Sequence, residues 1–148
     1  MKRQHHITAF YLETLILIAV FTGIILLLTR VFGISKNENE SARVLTNAVC
    51  LSENAAEAVA ASDSPQAVAE LLNENQNAWY EEETGLIHAV YQTDMTSDPE
   101  GPLKMEISWQ PETFAEGTLV SSSINVWYLD GDPVYTLDTA VYLPEVAS

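Results

Sequence analysis

Hydrophobic and polar positions divide this chain into three regimes. From Ile7 to Phe32 the residues are almost uniformly apolar, with Glu13 and Arg30 as the only formal charges, and Leu15 to Leu28 is interrupted only by Thr22 and Gly23. A soluble surface helix would turn a polar face to water every third or fourth residue, and this segment does not. At about 1.5 Å per helical residue, about 20 residues cross a hydrocarbon core of about 30 Å. The run is longer than that, so it spans with slack for tilt. It also exceeds the roughly 7–15 apolar residues of a secretory signal. Its end, Thr29-Arg30-Val31-Phe32-Gly33, offers no small-x-small cleavage site. The pattern predicts a transmembrane helix from about Ile7 to Phe32 behind a short basic N-terminus.

In the second regime, 34–76, a polar stretch (Ser35 to Glu40) gives way to a helical period. Leu45, Ala48, Val49, Ser52, Ala55, Ala56, Val59 and Ala60 recur at steps of three and four. No proline precedes Pro65, and Gly33 is the lone glycine between Gly23 and Gly85. One helix is therefore expected from about Ile7 to Ala61, about 80 Å long, with a weak point near Gly33. Its small-residue stripe reads as the core-facing side, and Cys50, the single cysteine, as a packed small side chain. Ser64-Pro65 reads as an N-cap followed by proline in the first turn of a short second helix.

In the third regime, 77–148, the period changes to two. Leu103, Met105, Ile107 and Trp109 alternate with Lys104, Glu106, Ser108 and Gln110, and Ile124, Val126 and Tyr128 repeat the pattern. Turn clusters fall at Gly85, Ser97–Pro102, Glu116-Gly117 and Asp130–Pro133. The expected fold class is α+β: a long N-terminal helix packed on a C-terminal antiparallel β-meander of four or five strands.

Charge settles what the outer region avoids. The 148 residues hold 21 acidic and six basic side chains, a net charge of -15. A nucleic-acid partner is excluded, because phosphate binding needs a basic stripe. From Ile34 onward three basic residues face 20 acidic ones, a balance of -17. Lys2 and Arg3, with His5 and His6, place the N-terminus in the cytoplasm, and Arg30, Lys36 and Arg43 oppose that only weakly. The expected location is the cell membrane, single-pass, with the acidic part extracytoplasmic.

Glu13 is the odd residue. A charged carboxylate at depth costs roughly 2.5–3.5 kcal/mol on insertion scales. Either the helix slides until Glu13 reaches the headgroups, or Glu13 pairs with a cation on a neighbouring subunit. The segment Thr8-Ala9-Phe10-Tyr11-Leu12-Glu13-Thr14-Leu15-Ile16 resembles the N-terminal signal of type IV pilins and pseudopilins. In that family a short basic leader ends in Gly, and a Glu stands at the fifth mature position of an apolar helix. The resemblance makes Ala9 the first mature residue and Thr8–Ala9 the processing junction for a prepilin peptidase, which implies a short basic cytoplasmic leader at 1–8 and a transmembrane helix at 9–33. Thr8 stands where the family has Gly, which leaves that cleavage open. The resemblance covers roughly the first 35 residues. It implies a pilin-like fold, and a register role for Glu13 against the N-terminal amine of a neighbour. The implied partners are other pilin-like subunits, met through the transmembrane helix, and an inner-membrane assembly platform. The implied function is a structural subunit of a type IV pilus, a type II secretion system or a competence-type filament, with a minor or tip position among the options. The alternative is a membrane-anchored binding or sensing domain that does not polymerise.

Enzyme chemistry is thin, and no catalytic role and no cofactor are expected. His88 stands alone in a strand pattern, and there is no phosphate-cradling glycine loop, no G-x-S-x-G and no HExxH. Asp94, Asp98 and Glu100 surround a Pro-Gly turn and are weak candidates for holding Ca²⁺. Their spacing does not match an EF-hand, and the competing reading is a solvated acidic loop.

Overall fold

The computed structural model describes residues 2–144, with the backbone alone for residues 2–9 and Asn37. The described residues form two helices and six strands: α1 (Lys2–Ala61), α2 (Pro65–Leu72), β1 (Ala78–Glu81), β2 (Leu86–Tyr91), β3 (Leu103–Ser108), β4 (Gln110–Phe114), β5 (Gly117–Tyr128) and β6 (Pro133–Pro144). Helical hydrogen bonding in α1 continues through Gly33, where a weak point was expected. The chain divides into two compact units, Met1–Ser41 and Ala42–Ser148, each described by itself.

In the second unit, residues 42–61 of α1 and the whole of α2 pack on one face of an antiparallel sheet. Their shared core holds Ala48, Leu51, Ala55 and Val59 from α1, Val68 and Leu72 from α2, and Ile87, Leu103, Met105, Ile107, Ile124 and Val126 from the strands. This is the expected α+β arrangement. The buried stripe of α1 is rotated slightly from the one its periodicity suggested. Val44, Leu51 and Ala58 are buried, whereas Leu45 is 45% exposed and Ala60 lies at the surface. Alanines occur all round this stretch, so apolar spacing alone leaves the centre of the stripe loosely defined. Ser64 caps α2 as its sequence suggested: its side chain accepts from the Ala67 N–H at 3.3 Å, and Pro65 fills the first turn.

The strands pair in chain order. β1 pairs with β2, β2 with β3, β3 and β4 with β5, and β5 with β6, all antiparallel. Ile107 lies opposite Ile124 and Gln110 opposite Ser121, which is one unbroken register. β3 and β4 are thus two halves of one ladder interrupted around Trp109. At the interruption the Ser108 hydroxyl accepts from the Ser123 N–H at 2.9 Å, doing the work of a missing backbone carbonyl. The register shifts once in the last hairpin, between Val126 and Trp127. Alternation then gives the sheet two unlike faces: Ile87, Met105 and Val126 turn to the helices, while His88, Glu106 and Asn125 turn away.

Candidate functional site

The first unit is a single helix, and its side chains dictate its surroundings. Phe10, Leu15, Leu26 and Phe32 are each about two-thirds exposed, and the large apolar residues between them are all exposed as well. An apolar surface that runs round the whole helix needs lipid or other helices to cover it. Within α1 lies the one helix, among the described residues, that is long and apolar enough to cross a membrane. Its hydroxyls are adapted to that setting. Thr14, Thr22 and Thr29 donate to the carbonyls of Phe10, Ile18 and Ile25 at 2.8–2.9 Å, so none brings an unmade hydrogen bond into hydrocarbon.

Glu13 interrupts this surface. It is exposed, and among the described residues no side chain pairs with it. Arg30 follows 17 positions later, about 25 Å along the axis. With Arg30 at one boundary of a core of about 30 Å, Glu13 lies about 5 Å inside the other. At that depth the carboxylate either reaches the headgroups or takes a cationic partner. Between them Ala19 and Gly23, four apart, share one side of the helix, and the space where a Gly23 Cβ would project is open. Such small positions let a second helix approach closely. The Thr8–Ala9 junction lies outside the described side chains.

The acidic loop lies in the second unit. Asp94 Oδ1 accepts from the Thr96 N–H at 3.1 Å and from its hydroxyl at 2.6 Å. Asp98 Oδ2 accepts from Gln92 Nε2 at 2.9 Å, and its Oδ1 accepts from the Glu100 N–H at 2.9 Å. These hydrogen bonds hold both carboxyls below their ordinary pKa, led by Thr96 for Asp94 and by Gln92 for Asp98. The two aspartates are thus spent on tying the loop, while Glu100 projects from it. Among the described residues no group of three or more His, Cys, Asp or Glu side chains is placed to hold a metal.

A cluster that sequence reasoning missed lies on the sheet face turned away from the helices. His88 Nε2 is 3.4 Å from Glu81, and its Nδ1 is 3.7 Å from Glu106. The imidazole stacks on the Trp79 indole, with centroids 5.3 Å apart and planes 20° apart. Glu81 also accepts the Thr84 hydroxyl at 2.6 Å; that bond first, and His88 second, lowers its pKa. The period-two pattern does put His88 and Glu106 on outward positions. Only the register, with Trp79 opposite His88 and His88 opposite Glu106, brings them side by side.

Compared with known proteins, the chain matches no family model, no curated protein and no solved structure.

Proposed function

We propose that this protein is a membrane-anchored structural subunit of the pilin-like or pseudopilin-like kind, which assembles with related subunits through the apolar part of α1. The observation that carries the reading is Glu13, a lone carboxylate on a helix surface that is otherwise apolar on every side. Apolar packing would draw the helices together at the Ala19–Gly23 side, and Glu13 would set their axial register by pairing with a cation on a neighbour. The N-terminal resemblance supports the same reading, and with it an assembly platform and a prepilin peptidase as partners. The acidic domain after Gly33 then lies outside the cytoplasmic membrane, and the role is structural rather than catalytic.

The test uses native envelopes. Cysteines placed at Ala19 or Gly23 in a Cys50→Ser background should crosslink neighbouring copies or related subunits within the bilayer. N-terminal sequencing of the extracted protein would find Ala9 exposed if Thr8–Ala9 is cut. A chain that stays solitary at every position tested overturns assembly and leaves a tethered binding domain.

A further inference from the structure

The outward sheet face holds a cavity of about 330 Å³ beside the Trp79–His88 stack. One wall is Trp79, 46% exposed, with His88 behind it. The Pro99–Gly101 segment, Lys104 and Glu106 line the cavity as well. The loop wall is built rather than loose. Gly101 is buried so close to the Tyr91 carbonyl that a Cβ there would overlap it. Asp98 adds the two bonds to Gln92 and to the Glu100 N–H, and the Pro102 carbonyl accepts from Leu129 N–H at 2.8 Å. Glu100 is thereby presented to the cavity by a fixed segment.

The charges are one-sided. Glu100 and Glu106 line the cavity, and Glu81 stands behind His88. Lys104, the one lysine or arginine in the lining, turns its Nζ to Asp130 at 3.0 Å. A neutral imidazole carries one N–H and can donate to only one of the two glutamates at its nitrogens. An open indole beside two carboxylates is the arrangement that receives an organic cation, by ring-face attraction and ion pairing together.

We propose that this cavity is a receptor for a guanidinium or ammonium side chain of a basic partner protein. Charge complementarity argues for a basic partner: residues 34–148 carry three basic against 20 acidic side chains, a field that concentrates cations at this face. A second copy of this chain is a poor donor. Of its three basic residues beyond Gly33, Lys104 is paired to Asp130 and Arg43 Nη2 donates to Thr93 Oγ1 at 3.4 Å, which leaves Lys36 beside the membrane segment. The proposal is independent of whether the helix assembles.

The experiment titrates the full-length protein, in a zwitterionic micelle, with acetyl-Gly-Arg-Gly-amide while the three tryptophan indole N–H signals are followed by NMR. The expected result is a saturable shift confined to Trp79 that the uncharged citrulline peptide does not reproduce. Glu100→Gln with Glu106→Gln should weaken binding about tenfold or more, and Trp79→Phe, read by calorimetric titration because its reporting indole is gone, should retain more binding than Trp79→Ala. Unchanged Trp109 and Trp127 signals would show that each variant is folded. The wild-type comparison of arginine with citrulline decides the matter even if a variant fails to fold. An equal response to both peptides overturns the proposal. So does the absence of any saturable shift, or a Trp79 shift produced instead by an uncharged oligosaccharide such as cellohexaose.

Discussion

Asn77 shows how much a single polar side chain can carry in this fold. It is fully buried, its Oδ1 accepts from the N–H groups of Glu74 and Asn75, and its Nδ2 donates to the Val90 carbonyl at 3.2 Å. It thereby closes the turn from α2 into β1 and pins it to β2. Asn77→Ala would take the acceptor from the part-buried Glu74 and Asn75 N–H groups and one of two donors from the Val90 carbonyl, so it should destabilise the domain by about 1–3 kcal/mol in chemical denaturation followed by tryptophan fluorescence. Ser122 is the converse. Its buried Oγ has no hydrogen-bond partner among the described residues, and it sits on the helix-facing side of β5. Ser122→Ala removes a desolvated hydroxyl rather than a bond, so the same measurement should find it neutral or slightly stabilising. Neither role was visible in the sequence. Asn73 to Asn77 reads there as a polar, turn-prone run, and nothing in it singles out the one asparagine that goes inside.

At the scale of elements, the sheet core is held by inward side chains of β2, β3 and β5. Leu103→Ala empties a fully buried site on β3 and should cost about 2–5 kcal/mol, measured by the same denaturation. The loop after β2 responds to pH instead. Hydrogen bonds from Gln92 and the Glu100 N–H lower the folded pKa of Asp98 below its ordinary 3.8. Its contribution is therefore present above that value and is lost as pH falls through the lower folded one. Protection of the Glu100 amide against exchange, taken relative to its intrinsic rate at each pH, should fall as the pH drops below about 3.8 in the wild type, and Asp98→Asn should flatten that dependence. The elements themselves were largely legible. Alternation marked β3 and β5, the Ser64-Pro65 cap marked α2, and each turn cluster fell between strands or ran into the first residue of the next. What one sequence cannot show is pairing register, which is set by contacts between distant segments. For that reason His88 read as solitary when it stands between two glutamates, and the Asp94, Asp98 and Glu100 group read as one cluster when two of its members serve the loop and the third a cavity wall.

For the whole molecule, two chemically opposite parts share one polypeptide: an apolar helix that requires a non-aqueous or helical environment, and an acidic domain that is closed around its own core. The first was plain from uninterrupted hydropathy, and the α+β class of the second from the change of period. In the proposed reading, the role of Glu13 lies with a neighbouring subunit. If Glu13 sets register between subunits, removing its charge should abolish incorporation while leaving membrane insertion and the acidic domain intact. If it only reaches the headgroups, the change should be silent. The most direct measurement is therefore the incorporation of Glu13→Ala into native envelope assemblies, compared with wild type at equal membrane abundance. The account predicts a loss of about tenfold or more, as expected when one member of a buried ion pair is removed. Incorporation at the wild-type level would contradict it.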